Sequence, residues 1–229
     1  MCGRYTITGP QDIAERFKVT LPGPIKPNYN AAPTQDLPVI TEDGNGKRLE
    51  IMRWGFVPGW SKDTKIGYKL INARAESVFE KPMWKKVITN RRCLIPADGF
   101  YEWQKRDDGK QPFYIHPSKK FGGSPLYAFA GIWSSWHDPA DPDGPGLHTY
   151  SILTTRPNKE MEAIHDRMPV ILHPDDEADW LNPDMTEASD IERFLRPLED
   201  GALDMFEVST DVNNVRINAD TLVRPMNSQ

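Results

Sequence analysis

Many short apolar runs broken by turn residues predict an α+β fold: a single domain with a mostly antiparallel, barrel-like β core and a few short helices. Three observations carry this expectation. The apolar runs are strand-length, one pair of them reads as a clear hairpin, and helical periodicity appears only in brief pieces. Gly9-Pro10 opens a short helix to about residue 19, with Pro10 suited to its first position and Ile13 and Phe17 on one face. Residues 21–33 contain four prolines and read as an extended loop. Residues 37–41 and 49–54 read as strands joined by the turn-rich 42–46. A helix is expected over 73–79, capped by Asn72, and a second helical piece from Pro82 carries Trp84 and Val87. Residues 99–104 and 111–116 form the hairpin, turning around Asp107-Asp108-Gly109. Strands follow at 126–133 and 150–154, separated by a surface loop at 137–146. The late helices are placed at 174–181 and 186–195.

The chain of 229 residues can bury a substantial core, and nothing in it marks a domain boundary. No apolar run approaches the ~20 residues of a membrane span, and the N-terminus lacks the pattern of a signal peptide. The expected location is therefore the cytoplasm, with no membrane partner. Cys2 and Cys93 lack metal-ligand spacing, as do the five histidines, so no metal is expected. Net charge is −5, but it is unevenly spread. Residues 1–120 hold 21 Lys+Arg against 13 Asp+Glu, whereas 121–229 hold 7 against 20. That asymmetry is compatible with a basic face drawn from the first half, or with interleaved surface charge.

Cys2 is the most informative position. Removal of Met1 before a small second residue would leave a thiol and a primary α-amine on adjacent carbons. An α-amine titrates near ~7.7–8.0 against ~10.4 for lysine, so it is far more often a neutral nucleophile at pH 7. Amine and thiol together convert an aldehyde to an imine and then to a thiazolidine ring. A cysteine near a terminus can also be a small buried hydrophobe. Asn72-Ala73-Arg74-Ala75-Glu76 concentrates an amide, a guanidinium and a carboxylate, suited to orienting a reacting group and clamping phosphate. In Gly99-Phe100-Tyr101-Glu102-Trp103, alternation puts Phe100 and Glu102 on one face, and apolar neighbours raise a carboxylate's pKa. His165-Asp166-Arg167 joins a proton carrier to a phosphate-binding group. In Trp54-Gly55-Phe56-Val57-Pro58-Gly59-Trp60, Trp60 is the better candidate for stacking on an unpaired base, and Trp54 the better for the core.

These segments, with Met1-Cys2-Gly3-Arg4-Tyr5 and Tyr29-Asn30-Ala31-Ala32-Pro33, resemble the SOS response-associated peptidase (SRAP) family, which shields abasic sites in single-stranded DNA. The resemblance implies one SRAP domain over 1–229, its mature chain starting at Cys2. It implies that Cys2 crosslinks to the abasic aldehyde, Glu102 acts as general acid/base, His165 transfers protons and Asn72 positions the terminal cysteine. Arg4, Arg74 and Arg167 would hold phosphates. Asn30, Pro33 and Trp60 would line the DNA channel, and Thr154 would be a polar site residue. No cofactor is implied, the partner is abasic single-stranded DNA, and a monomer is expected. Some relatives carry a second aromatic where this chain has Ser61. Two other classes fit part of the pattern. Class II glutamine amidotransferases also begin Met-Cys-Gly, and a non-covalent single-strand DNA-binding module would need only the aromatics and arginines.

Overall fold

The computed structural model describes residues 2–121 and 124–226. In chain order its strands are β1 (Tyr5–Ile7), β2 (Asn28–Ala31), β3 (Asp36–Glu42), β4 (Lys47–Trp54), β5 (Asn72–Arg74) and β6 (Arg92–Ala97). They continue with β7 (Gly99–Arg106), β8 (Gly109–Pro117), β9 (Tyr127–Trp136), β10 (Leu147–Thr155), β11 (Met168–Pro169), β12 (Ile171–Leu172) and β13 (Leu203–Glu207). The α-helices are α1 (Ile13–Phe17), α2 (Pro82–Asn90), α3 (Lys159–Glu162), α4 (Glu177–Leu181) and α5 (Ala188–Glu192).

The barrel expected from the sequence is present. β3 pairs with β4 and β6, β6 with β9, β9 with β10, and β10 with β4, so five strands close on themselves. Every link in this ring is antiparallel except β10–β4, which is parallel. β10 runs on past the end of β4, so the closed ring still offers an edge there. A second sheet runs β13-β8-β7-β1-β2 and lies against it. The two layers meet at an aromatic cluster. The Tyr5 ring packs edge-on against Trp54 at 5.1 Å, and the Tyr5 and Tyr150 hydroxyls lie 2.8 Å apart. All three side chains are fully buried. Trp54 therefore belongs to the core, where its indole N–H donates to the Ile71 carbonyl at 2.9 Å.

Two expected elements are different. Residues 28–31, placed in the extended loop of 21–33, form β2, because the edge of β1 gives this already extended segment a main-chain partner. Residues 73–79 do not form a helix: Asn72–Arg74 is a strand running parallel to β10, followed by a single 3-10 turn at Ala75–Ser77. Good helix formers lose here because the β10 edge offers this segment a main-chain partner, which outweighs a weak local preference. Asn72 is thus no helix cap. Its side chain is released for another task.

Two polar anchors hold the frame. Arg92 is buried, and its guanidinium donates to carbonyls at the ends of two helices: Ile88 and Thr89 from α2, Trp180 and Asn182 from α4. Carbonyls at helix C-termini lack partners in the helix, and a cation suits their negative dipole ends. At the β6–β7 junction, Asp98 accepts hydrogen bonds from the Thr6 and Thr8 hydroxyls and from the Thr8 and Gly9 backbone N–H groups. This fastens the far end of β1, the strand that begins three residues after Cys2. Replacing Asp98 with Ala should lower unfolding free energy by about 2–3 kcal/mol, the worth of hydrogen bonds to a charged group. Urea denaturation would show this as a lower midpoint with an unchanged slope.

Candidate functional site

Cys2 is fully buried at the entrance to β1. Asn72 Nδ2 donates to the Cys2 carbonyl at 2.8 Å, and the Cys2 thiol faces the Arg4 carbonyl at 3.7 Å. The parallel β5–β10 ladder sets the position of Asn72, opposite Ile152. Asn72 Oδ1 is buried and has no hydrogen-bond partner among the described residues, leaving an acceptor beside the residue it holds. Burial drives the thiol far above its ordinary pKa, and the charge of Glu102 pushes the same way. At neutral pH Cys2 therefore carries a thiol, not a thiolate.

Glu102 comes from β7, where Phe100 and Glu102 share a face as the alternation predicts; both are buried. Gly99 opens that strand because a Cβ there would lie 2.2 Å from the Tyr114 ring. Burial pushes the Glu102 carboxyl up to about 7. The carboxylate Oε2 lies 3.9 Å from His165 Nε2. His165 precedes β11, and the chain from β11 to β12 threads between β10 and β9 through Val170, whose N–H donates to Leu153. His165 Nδ1 faces two groups with opposite demands. The Arg167 backbone N–H donates to it at 3.0 Å, which suits a neutral ring with its proton on Nε2. Asp166 Oδ1 at 2.9 Å favours the charged ring. Burial is the larger influence and holds the imidazole below its usual pKa. The neutral ring wins at pH 7, presenting its proton toward Glu102.

Glu102, His165 and Asp166 line a cavity of about 800 Å³ together with Trp103, Lys105 and Lys110. A buried carboxyl near pH 7 beside a neutral imidazole can exchange protons in both directions at physiological pH. Among the described residues, no group of three His, Cys, Asp or Glu is placed to hold a metal ion.

The other residues singled out in the sequence fall into separate settings. Arg4 is half-buried next to Cys2; its Nη1 donates to the Gly3 carbonyl at 2.8 Å, and its Nε has no partner among the described residues. Arg74 is exposed on β5 and forms no ion pair among the described residues. Thr154 is buried opposite Arg74, its hydroxyl 3.4 Å from the Ala73 carbonyl. Arg167 is engaged inside the protein. It makes a bidentate pair with Glu76 at 2.8 and 2.9 Å and donates to the Thr154 carbonyl at 2.6 Å. A phosphate at Arg167 would have to displace that carboxylate. Asn30 is buried and donates to the carbonyls of Val212, Asn214 and Ile217, tying β2 to the C-terminal segment. Pro33 is half-buried just after β2. Trp60 is 70% exposed and borders a different cavity, with Phe56, Met83 and Val87. Ser61 is buried, its hydroxyl closing a turn onto the Asp63 carbonyl at 2.7 Å. Met1 lies outside the described residues. Among the described residues no helix is long and apolar enough to cross a membrane.

Glu76 and the Lys105/Lys110 pair were not assigned roles from the sequence. The lysine pair was within reach of it, because pairing 104 with 111 across the hairpin turn sets 105 opposite 110. The Glu76–Arg167 pair joins residues 91 apart, and no local pattern announces it.

Comparison with known proteins gives a consistent result. The model of the family described as SOS response associated peptidase (SRAP) matches residues 1–215. The chain is 44% identical over 228 residues to the abasic site processing protein YoqW of Bacillus subtilis, covering 97% of this chain and 99% of that one. It is 33% identical to the abasic site processing protein HMCES of Xenopus tropicalis, covering 84% of this chain and 64% of that longer one. Among solved structures, a protein from Bacteroides thetaiotaomicron superposes with a TM-score of 0.87 at 26% identity, covering 98% of this chain and 99% of that one. The chain belongs to the SOS response associated peptidase family.

Proposed function

We propose that this protein, acting as a monomer, recognises abasic sites in single-stranded DNA and bonds to them covalently through Cys2 once Met1 has been removed. The observation that carries this reading is the placement of Cys2: its carbonyl held by Asn72, and its thiol close enough to Glu102 to feel that carboxylate's charge. The names of the relatives, abasic site processing proteins, support the substrate.

The chemistry follows from the groups present. An abasic sugar exchanges between a closed hemiacetal and an open aldehyde. Glu102, with its carboxyl near pH 7, can take the hemiacetal hydroxyl proton and return it to the ring oxygen. The Cys2 amine then adds to the aldehyde carbon, and water leaves to give an imine. The His165–Glu102 pair supplies the proton that the departing oxygen needs. The thiol sulfur adds to the imine carbon while its proton passes to nitrogen, closing a thiazolidine. One water is released overall, and no oxidant or cofactor enters. Because the thiol is protonated at neutral pH, the amine is the natural first attacker and sulfur the second. Asn72 Oδ1 is an available acceptor for the amine's N–H. The same acid/base pair could assist cleavage of the Met1–Cys2 bond, which would make Met1 removal autocatalytic.

Three outcomes test this reading. Cys2→Ala should form no SDS-stable adduct with an abasic oligonucleotide, and a one-residue extension before Cys2 should abolish it equally; intact mass spectrometry should show the wild-type adduct at the summed mass less one water. An extended N-terminus that crosslinks normally would overturn the ring-forming step. Glu102→Gln should slow adduct formation by about 10²-fold and remove an inflection near pH 7 from the rate profile. Arg74→Ala should weaken binding without altering the rate at saturating DNA, and flatten the salt dependence by about 0.7 in log–log slope.

A further inference from the structure

Lys105 and Lys110 stand directly opposite each other on β7 and β8, one rung from the end of the hairpin. Both are exposed, and neither forms an ion pair among the described residues. Their neighbour Arg106, by contrast, is engaged by Glu207 at 2.6 Å. Like charges placed opposite one another across a sheet destabilise it, so this pair detracts from the hairpin unless an anion comes between them. Both lysines line the cavity that holds Glu102 and His165. Lys110 is near enough for its charge to add to the lowering of the His165 pKa. Trp103, also in the wall, is fixed by its indole N–H to Asn213 Oδ1 at 2.8 Å, so this side of the cavity is held in place.

We propose that Lys105 and Lys110 form a phosphodiester-binding subsite in the cavity lined by Glu102 and His165, gripping the strand beside the lesion. The inference deepens the DNA reading and rests on it. A strand crossing the cavity brings a phosphate on each side of the abasic sugar. Arg4 lies just before β1 and Arg74 ends β5, whereas the lysines come from the hairpin and supply a second, independent contact. Opposed side chains start about 5 Å apart, so two flexible stems can bring their ammonium groups to one phosphate. Such contacts confer affinity without base preference.

The test compares wild type, the double variant Lys105→Gln/Lys110→Gln, and Lys119→Gln/Lys120→Gln as an exposed control pair elsewhere on the chain. Binding of an intact fluorescent single strand is followed by anisotropy from 50 to 300 mM salt, and adduct formation is measured separately on an abasic strand. The hairpin variant should bind about tenfold more weakly at 100 mM salt, with its log–log slope reduced by about 0.7–1.4 for one or two lost phosphate contacts. The control pair should match wild type. The control pair should also form the adduct at the wild-type rate. Equal affinity and slope for the hairpin variant and wild type overturn the subsite, even if wild type crosslinks normally. A reduced slope without any wild-type adduct leaves the subsite standing and overturns the covalent reading instead. A polyglutamate peptide that displaces the strand from wild type, but not from the hairpin variant, overturns the assignment to phosphodiesters.

Discussion

The proposed chemistry depends on one constraint, the way Cys2 is pinned. The main tie is the amide of Asn72 on the Cys2 carbonyl, delivered by a strand that the barrel edge recruits. β1 does the rest. It lies between β2 and β7, with Tyr5 opposite both Ala31 and Phe100, and Asp98 fastens its far end. In the proposed reaction, such constraint is what would let two atoms of one small residue meet a substrate carbon in order.

Burial then sets the proton inventory. Removing water penalises whichever form of a group is charged, so the same environment acts on carboxyl and imidazole in opposite senses. Glu102 rises to about 7, and His165 falls below its usual value. Their usual order is thereby inverted, so that Glu102 is the group that titrates near neutral pH while His165 stays neutral there. The Cys2 thiol rises with Glu102, since it too ionises to an anion. A single physical cause thus favours an acid/base pair and disfavours a free thiolate, which is what sets the amine before the thiol in the proposed reaction.

Around this buried centre the arginines divide by what they touch. Arg167 is held by Glu76 and the Thr154 carbonyl, bracing the 3-10 turn after β5 against the end of β10 and, through its backbone N–H, orienting His165. Arg4 and Arg74 keep donor capacity for an anion. The hairpin lysines add charge from another quarter. Cations that are already paired organise the site, and those left unpaired are the ones available to a polyanion.

The sequence by itself marked β3, β4, β7, β8, β9 and β10, the hairpin with its register, and the face that Phe100 and Glu102 share. Each of these follows from local rules: period-two alternation, turn residues and adjacency in the chain. It could not determine that residues 73–79 would abandon a helix, because the competing partner, β10, lies some eighty residues away. For the same reason nothing local showed that Asn30, expected in the DNA channel, is claimed by three carbonyls near residue 215, or that Arg167, expected to hold phosphate, is claimed by Glu76. Only tertiary structure decided which polar groups were already satisfied, since burial and pairing are properties of what the fold brings together across the chain.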